Sequence, residues 1–200
     1  MSDSARERAY LKSSLASFLE LVSADEPAPA GGSVVAMALA MAAGLCVMAG
    51  RLSATQLEDA TELVQRAEQL RDRAAALSQA DAAAYGEVIS ALRYRETDAE
   101  ERLGRVAAAL SEAAEVPTEL AEIGADVAAI AARIAEGGKA NLLGDAVTAA
   151  LLAAAACEAA GTLVTINLGQ QPGDDRLPRT ALAVAQSAEL AERARRRLGA

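Results

Sequence analysis

Two carboxylates stand at positions where a carboxyl group could do chemistry. Asp145 opens an apolar run in which no further acid occurs until Glu158. Such a carboxylate is either favoured by the helix dipole in a first turn or desolvated with a shifted pKa, and the second case would be functional. Asp81 precedes Tyr85 by four residues, which places both on one helix face. A structural hydrogen bond between the two side chains explains this pair as well as a binding role does.

The segment PAPAGGS contains the residues that a binding loop at a helix N-terminus needs. Gly31 and Gly32 permit close approach to the backbone, and Ser33 can cap the helix that follows. Together they would leave N–H groups free for a carboxylate, a phosphate or an electron-rich ring edge. The alternative is a tight turn that leads into a core helix, and the spacing alone favours this turn.

Two asparagines are further candidates. Asn141 lies four residues before Asp145, so both share one face of the predicted helix. Asn167 ends an apolar helix, where capping of the C-terminus is the ordinary role. Each asparagine is therefore a candidate only in combination with the other segments.

The residue types that are missing restrict the chemistry. The sequence contains no histidine, which removes the commonest general base and the commonest metal ligand together. Acid–base chemistry must then use carboxylates, tyrosine, lysine or the substrate itself, and we predict no metal site. Cys46 and Cys157 each lie inside an apolar helical run, so two buried thiols are favoured over a disulfide or a ligand pair.

Composition predicts one all-α domain that covers residues 1–200. Apolar residues make up 52% of the chain but aromatic residues only 2%, and alanine, the best helix former, dominates. The net charge of −9 argues against a nucleic-acid partner, for which a basic face is expected. The N-terminus is charged and amphipathic and lacks the apolar core of a secretory signal, so we expect a cytoplasmic protein.

The periodicity and the capping signals predict a single antiparallel bundle. The first two predicted helices cover about Ser4–Ser23 and Ser33–Leu52. The third is opened by a capping box at Ser53–Gln56 and ends near Tyr94, and the fourth is opened by a capping box at Thr97–Glu100, kinked or split at Pro117 and stopped by Gly137-Gly138. The fifth covers Asn141–Asn167, and a last helix begins at about Leu177.

Two of these helices are apolar on nearly every face. They contain the segments Val34–Ala49 and Ala146–Val164, and such helices are either buried in protein or span a membrane. A span needs about 20 strongly apolar residues, whereas the first run is alanine-rich and only about 16 residues long. We therefore expect no membrane partner. A bundle of this size cannot easily enclose both helices, so we expect a second subunit to cover them in a homodimer.

Several of these segments in combination resemble the cyclodeaminase/cyclohydrolase family, the type of domain found at the C-terminus of formimidoyltransferase-cyclodeaminase. PAPAGGSVVAMALAMAAGL resembles the family's Pro-x-Pro-Gly-Gly-Gly-Ser segment and the helix after it. GKANLLGDAV and TLVTINL resemble its Gly-Asn-x-Asn-x-x-Ser-Asp segment and its closing Asn-Val-x-Ile-Asn-Leu. DAAAYGEVISAL and AAEVPTELAE lie between them in the expected order. The resemblance extends from about Leu21 to Leu168.

The resemblance implies an all-helical, dimer-forming enzyme of one-carbon metabolism that acts on a tetrahydrofolate, with no metal and no permanently bound cofactor. Cyclodeaminases close 5-formimidoyl-tetrahydrofolate to 5,10-methenyl-tetrahydrofolate with loss of ammonia, and stand-alone members are also known as methenyl-tetrahydrofolate cyclohydrolases. Asp145 is then the first candidate for the acid–base catalyst and Asp81 the second. The candidates for substrate binding are Gly31, Gly32, Ser33, Tyr85, Lys139, Asn141 and Asn167.

A different interpretation keeps the fold without the activity. Ala30, Lys139 and Gly144 stand where the family usually has Gly, Asn and Ser. A divergent, catalytically silent member would retain the helical dimer as a binding or scaffold module.

Overall fold

The computed structural model describes residues 10–94, 98–169, 171 and 173–199, and most of these residues are helical. No strand occurs in these residues, so the predicted all-α class is confirmed. The α-helices are α1 (Leu15–Val22), α2 (Gly31–Leu52), α3 (Ala60–Arg93), α4 (Ala99–Ala113), α5 (Glu115–Gly137), α6 (Leu143–Leu168) and α7 (Arg176–Arg196), with short 3-10 turns at Tyr10–Lys12, Ala140–Leu142 and Arg197–Gly199.

Helices α2 to α7 form a bundle in which the two most apolar helices are central. α2 packs on α3, α5 and α6, and α6 packs on α2, α5 and α7. Small side chains allow the close packing: a Cβ added to Gly124 of α5 would lie 2.7 Å from the Cβ of Cys157 in α6. Cys46 and Cys157 are both free and buried, as predicted.

α2 and α6 run antiparallel. Beyond the C-terminus of α2, the Oγ of Ser53 accepts a hydrogen bond of 2.9 Å from the backbone N–H of Lys139, just before α6. At the opposite end, Gly32 of α2 and Asn167 of α6 line the same cavity. The 22 residues of α2 span about 33 Å, which is the approximate distance between these two ends.

The start of α2 differs from the prediction. The helix begins at Gly31 and not at Ser33, so the two glycines belong to its first turn and Ala30 occupies the N-cap position. Ser33 does not cap the helix, because its hydroxyl donates to the carbonyl oxygen of Ser78 in α3. The predicted turn is therefore displaced to the residues before Gly31.

The capping box predicted at Ser53–Gln56 is wrong. Ser53 is the C-cap of α2, and α3 begins only at Ala60. The Ser53 side chain is fully buried, and its Oγ accepts the N–H of Lys139, so it is engaged in a long-range contact. The type and spacing of these residues fit a cap, but a distant partner holds the serine.

Two other helix starts are shifted. The second predicted capping box begins at Thr97, which lies outside the described residues. In the structure Asp98 is the N-cap of α4, and its Oδ1 accepts the N–H of Glu101 at 2.9 Å. The first predicted helix begins at Ser4, but residues 1–9 lie outside the described part. α1 begins only after Ser14, whose Oγ accepts the N–H of Ser17.

The other predicted boundaries are confirmed within a few residues. α4 ends at Ala113 and α5 begins at Glu115, which places Pro117 in a first turn where its missing N–H is not needed. α5 ends at Gly137, and α7 begins at Arg176. Asn141 lies in the 3-10 turn before α6, so it and Asp145 do not share a continuous α-helix as their spacing predicts.

The exposed surface of α2 and α6 carries large apolar side chains. We call this surface the α2–α6 face; its large side chains are Val34, Met41, Met48 and Leu52 of α2 and Leu151, Leu152 and Ile166 of α6. Gly31–Leu52 and Ala140–Leu168 are both long and apolar enough to cross a membrane by length and composition, and 56% and 44% of their most apolar windows are buried in the bundle.

Candidate functional site

A cavity of about 230 Å³ lies at the N-terminus of α2, where α3, the α4–α5 junction and the end of α6 meet. Its lining combines backbone at the start of α2 with one carboxyl group, one phenol, one amide and apolar side chains. The lining residues are Ala30, Gly31, Gly32, Asp81, Tyr85, Ala113, Pro117, Leu163, Ile166 and Asn167.

The carboxyl group of Asp81 reaches this helix N-terminus only because Gly32 has no side chain. A Cβ built on Gly32 would lie 1.9 Å from Oδ1 of Asp81, far inside van der Waals contact. The neighbouring Gly31 has no atom within 4 Å of such a Cβ. The close approach therefore depends on Gly32 and not on the Gly-Gly pair as a whole.

Hydrogen bonds hold the Asp81 carboxyl group in place. The Oγ of Ser33 lies 3.1 Å from Oδ2 of Asp81 and 2.8 Å from the carbonyl oxygen of Ser78. Burial raises the pKa of Asp81, and the hydrogen bonds from the Ser33 side chain and backbone oppose this shift without cancelling it. The carboxyl group is thus able to hold a proton at higher pH than an exposed aspartate does.

Tyr85 and Asn167 line the same cavity as this carboxyl group. Tyr85 follows Asp81 by one helical turn and is 39% exposed, so its ring is available to a planar ligand. The Nδ2 of Asn167 donates to the carbonyl oxygen of Ala113 at 3.1 Å. Asn167 therefore bridges α6 to the end of α4, and the C-cap position of α6 belongs to Gly169.

The other candidate residues lie at the far end of the α2–α6 pair. Lys139 and Asn141 are exposed, and Asp145 is half-buried in the first turn of α6. Within one chain they are separated from Asp81 by about the length of α2, roughly 33 Å. The structure thus brings together Gly31, Gly32, Ser33, Asp81, Tyr85 and Asn167, but not Lys139, Asn141 and Asp145.

Several residues that shape the cavity were not among the predicted site residues. Ser78 and Ala113 contribute through backbone carbonyl groups, for which residue type carries no signal. Pro117 and Leu163 contribute apolar surface. The sequence did contain a signal for Pro117, because it predicts a break in the helix at this residue. The α4–α5 junction formed by that break lies at the cavity.

A separate charged cleft of about 670 Å³ lies next to the site, lined by Ala80 and a network of ion pairs. Arg73 donates to both carboxyl oxygens of Glu119, at 2.5 and 2.7 Å. Arg176 donates to Asp174 and Glu115, and its hydrogen bonds lower the pKa of Asp174 to about 2. These arginines are neutralised by partners within the chain.

No three histidine, cysteine, aspartate or glutamate side chains come together as metal ligands in the described part of the chain. The polar groups of the cavity itself are hydrogen-bond donors and acceptors: backbone at the helix start, a phenol, a carboxyl and an amide. Such a set suits an organic ligand with polar ring edges.

Comparison with known proteins identifies the architecture that carries this cavity. The family model described as formiminotransferase-cyclodeaminase matches residues 14–186. The chain belongs to the formiminotransferase-cyclodeaminase family. The crystal structure of formiminotetrahydrofolate cyclodeaminase from Thermotoga maritima superposes with a TM-score of 0.85 and 26% sequence identity, over 95% of this chain and 98% of that chain. No curated protein matches the sequence.

These matches confirm the family resemblance and the helical architecture read from the sequence. The family match includes α1 to α6 and much of α7, and therefore every residue that lines the cavity.

Proposed function

We propose that this protein is a folate cyclodeaminase of one-carbon metabolism, and that the cavity at the N-terminus of α2 is its active site. The observation that carries the proposal is the partly buried carboxyl group of Asp81, which Gly32 admits to a helix N-terminus at a cavity of about 230 Å³. Family membership and the similarity to a formiminotetrahydrofolate cyclodeaminase support the choice of substrate.

The reaction requires a group that moves protons at one carbon centre. N10 of 5-formimidoyl-tetrahydrofolate forms a bond to the formimidoyl carbon and loses its proton, and the amino nitrogen gains a proton and departs as ammonia. A partly desolvated carboxyl group can accept the first proton and supply the second. Asp81 is suited to this work, because burial raises its pKa towards the working range of a general acid.

The size of the cavity favours one end of the substrate. Sites for whole drug-sized ligands are commonly about 300–1,000 Å³, and this cavity is smaller at about 230 Å³. We infer that it holds the pterin ring and the one-carbon group, with the ring beside Tyr85 and its polar edge towards the start of α2. The remainder of the folate then extends outward past Ile166, which belongs to both the cavity and the α2–α6 face.

We also propose that the protein is a homodimer that buries the α2–α6 face. Met41 is 58% exposed and Ile166 66% exposed, although both lie in helices that are apolar on nearly every side. Large apolar side chains exposed along two helices are typical of an interface between subunits. The similarity of this chain to an enzyme favours a second copy of the chain, and not a membrane, as the partner that covers this face. A cytoplasmic location is part of the proposal.

An antiparallel dimer would also account for the separated candidate residues. If the two-fold axis is perpendicular to α2, the C-terminal end of α2 in one subunit lies beside its N-terminal end in the other. Lys139, Asn141 and Asp145 of one subunit would then approach the cavity that contains Asp81 in the other. Asp145 lies on the same side of α6 as Leu152 of the α2–α6 face, seven residues further along.

The activity is tested with purified protein and two substrates. We expect 5-formimidoyl-tetrahydrofolate to be converted to methenyl-tetrahydrofolate, followed by the absorbance of the product, and free ammonia to be released in equal amount. Decay of added methenyl-tetrahydrofolate measures the cyclohydrolase reaction. Turnover of the second substrate alone would make the protein a cyclohydrolase. If neither is turned over and folates do not raise the thermal stability, the enzyme proposal is wrong and a silent scaffold becomes the better interpretation.

The dimer is tested by a charge placed on the α2–α6 face. We expect wild-type protein to sediment as a dimer and Leu152→Glu to sediment as a monomer, because a carboxylate at the interface would be desolvated. Leu182→Glu is the matched control, since Leu182 is 59% exposed and belongs to α7, which contributes no side chain to this face as defined. A monomeric wild-type protein, or equal effects of the two substitutions, would exclude this interface.

A further inference from the structure

We propose that a groove between α6 and α7 binds the p-aminobenzoyl group of the folate, and that the hydroxyl of Thr180 donates a hydrogen bond to the carbonyl oxygen of this group. The p-aminobenzoyl group joins the pterin ring to the glutamate, so the inference rests on the proposed function and adds a second part of the same substrate. Two observations carry it: the groove is continuous with the cavity at the N-terminus of α2, and it contains a buried hydroxyl without a partner.

The groove has a volume of about 400 Å³ and begins where the cavity ends. Ile166 of α6 lines both spaces. From Ile166 the groove follows α6 back to Glu158, about two helical turns earlier, and α7 forms the other wall from Leu177 to Val184. A ligand that passes Ile166 as it leaves the cavity can therefore enter the groove directly.

The volumes fit one ligand that is divided between the two spaces. The cavity, at about 230 Å³, is smaller than the roughly 300–1,000 Å³ of sites that hold whole drug-sized ligands. Together with the groove it lies within that range. Ile166 also belongs to the α2–α6 face, but the partner subunit covers that face in the proposed dimer. The groove then remains as a route for the p-aminobenzoyl group.

The walls of the groove suit an aromatic ring. Ile166, Leu177 and Val184 supply apolar side chains. Gly161 lets α7 pack closely, because a Cβ built on it would lie 2.9 Å from Cγ2 of Val184 and 3.3 Å from Cγ2 of Thr180. Thr180 is therefore on the level of Gly161, five residues or about 7.5 Å along the helix axis from Ile166. This is close to the length of a para-substituted benzene ring with its carbonyl group.

Thr180 lines the groove with a hydroxyl that the chain leaves unsatisfied. The residue is 3% exposed, and its Oγ1 has no hydrogen-bond partner in the described part of the chain. Two neighbouring threonines differ: Oγ1 of Thr162 donates to the carbonyl oxygen of Glu158, and Oγ1 of Thr165 donates to that of Gly161. Since a buried hydroxyl without a partner is unfavourable, an acceptor on a ligand in the groove would gain affinity from Thr180.

Binding requires a rotation of the Thr180 side chain. Its Oγ1 is covered in the protein without ligand, so the hydroxyl reaches the groove only after rotation about the Cα–Cβ bond. Threonine in a helix readily adopts two rotamers, so this change is a small one. The carbonyl oxygen of the p-aminobenzoyl group is then the acceptor.

One charged side chain limits how far the ligand extends. Glu158 is exposed at the end of the groove away from Ile166, and it is the only charged side chain among the described residues that line the groove. Its carboxylate repels the carboxylates of the glutamate that follows the p-aminobenzoyl group. We therefore expect this glutamate to turn out to solvent before it reaches Glu158.

Two ligands separate the groove from the cavity. Tetrahydrofolate contains the p-aminobenzoyl group and 6-methyl-tetrahydropterin lacks it, and isothermal titration calorimetry with the full chain measures both dissociation constants. Ala181→Phe places a large side chain in the groove from an exposed position. We expect it to weaken tetrahydrofolate by about tenfold or more and to leave the pterin unchanged. Gln186→Phe is the matched control, because Gln186 is also exposed on α7 but does not line the groove.

Thr180→Val tests the hydroxyl at nearly constant volume. We expect the dissociation constant of tetrahydrofolate to rise by about twofold to tenfold, the effect of one hydrogen bond, and that of the pterin to stay constant. The melting temperature should not fall, because no hydrogen bond within the described chain is lost. Thr180→Ser keeps the hydroxyl and should bind as wild type does. A lower melting temperature with unchanged affinity would show that the hydroxyl is structural and does not contact the ligand.

The outcomes separate this inference from the proposed function. If Ala181→Phe weakens both ligands equally, or weakens neither, the groove does not hold the p-aminobenzoyl group and the inference is wrong, even in an active enzyme. If the variants behave as expected but 5-formimidoyl-tetrahydrofolate is not converted, only the proposed reaction is wrong. A wild-type protein that binds neither ligand would contradict both.

Discussion

The two ends of the α2–α6 pair place a carboxyl group beside a helix N-terminus in different ways. At one end Asp81 belongs to α3 and enters the first turn of α2 from outside, against the bare backbone of Gly32. At the other end Asp145 belongs to the first turn of its own helix, α6. The first arrangement needs tertiary structure, and it desolvates the carboxyl group enough to raise its pKa. The second needs only local sequence, and Asp145 is half-buried there.

This difference separates what each carboxyl group can do in a single chain. Asp81 has a cavity in front of it, a hydroxyl beside it and a pKa raised by burial. An acid in the first turn of its own helix is an ordinary stabilising arrangement, worth about 0.3–1 kcal/mol at a surface. Asp145 therefore becomes a catalytic candidate only if a second subunit completes its surroundings.

Loss of the close approach at Gly32 should have the largest effect on activity. Gly32→Ala puts a methyl group where Oδ1 of Asp81 lies, so the carboxyl group must move. We expect kcat/KM to fall by about a hundredfold or more, because displacement of a catalytic group by about 1 Å is enough for such a loss. Gly31→Ala meets no atom within 4 Å and should stay near wild type. Equal activities of the two variants would mean that Asp81 is not a catalytic residue.

Mixing of two damaged subunits tests whether the two ends form one site. Asp81→Asn and Asp145→Asn should each lower activity, by about a hundredfold and about tenfold or more. In an antiparallel mixed dimer one of the two sites keeps both aspartates, so an unfolded and refolded equal mixture should regain about a quarter of wild-type activity. Refolding of either variant alone is the control. If the mixture is no more active than its components, Asp81 and Asp145 do not act together in one site shared between subunits.

The contrast also explains how far the sequence could predict this molecule. The helices, the boundaries at Pro117 and Gly137, the buried cysteines and the family follow from local patterns and motifs, and the structure and the family match confirm them. The roles of Ser33 and Ser53 could not be predicted in this way. Both serines fit helix caps by local spacing, but each is held by a partner 45 or 86 residues away.

The grouping of the site residues was only partly predictable for the same reason. Gly32, Asp81 and Asn167 meet because antiparallel packing brings the start of α2, the middle of α3 and the end of α6 together. No local pattern encodes that packing. The assignment of Asp145 to the same site came from the family resemblance, and it stays a prediction that only the subunit mixture tests.

Ser53 should matter for stability at the end of α2 that lacks the cavity. Ser53→Ala removes the buried acceptor for the N–H of Lys139, and we expect it to lower the free energy of unfolding by about 1–2 kcal/mol. Urea denaturation measures the change. Ser90→Ala, which removes an exposed bond to Gly86 within α3, should cost less. A Ser53→Ala protein as stable as wild type would mean that water replaces the lost partner.

The smallest effect concerns the stability contributed by the protonation of Asp81. Its folded pKa is raised above the unfolded value, so the stabilisation is complete below the unfolded pKa and is lost as pH rises through the folded pKa. Above its folded pKa, Asp81 therefore carries a charge that the folded protein desolvates at a cost. Asp81→Asn removes that charge, and its melting temperature should exceed the wild-type value at neutral pH, by roughly 2–4 °C for each kcal/mol recovered.

At acid pH this advantage should disappear, because wild-type Asp81 is then neutral as well. Thermal unfolding of both proteins between acid and neutral pH measures the difference. Asp25→Asn, at an exposed position between α1 and α2, corrects for the change in net charge. An Asp81→Asn protein that is less stable than wild type at neutral pH would show that the hydrogen bonds of the ionised carboxylate outweigh its burial. The N-terminus of α2 would then stabilise the ionised carboxylate of Asp81, and Asp81 would begin the reaction as a base.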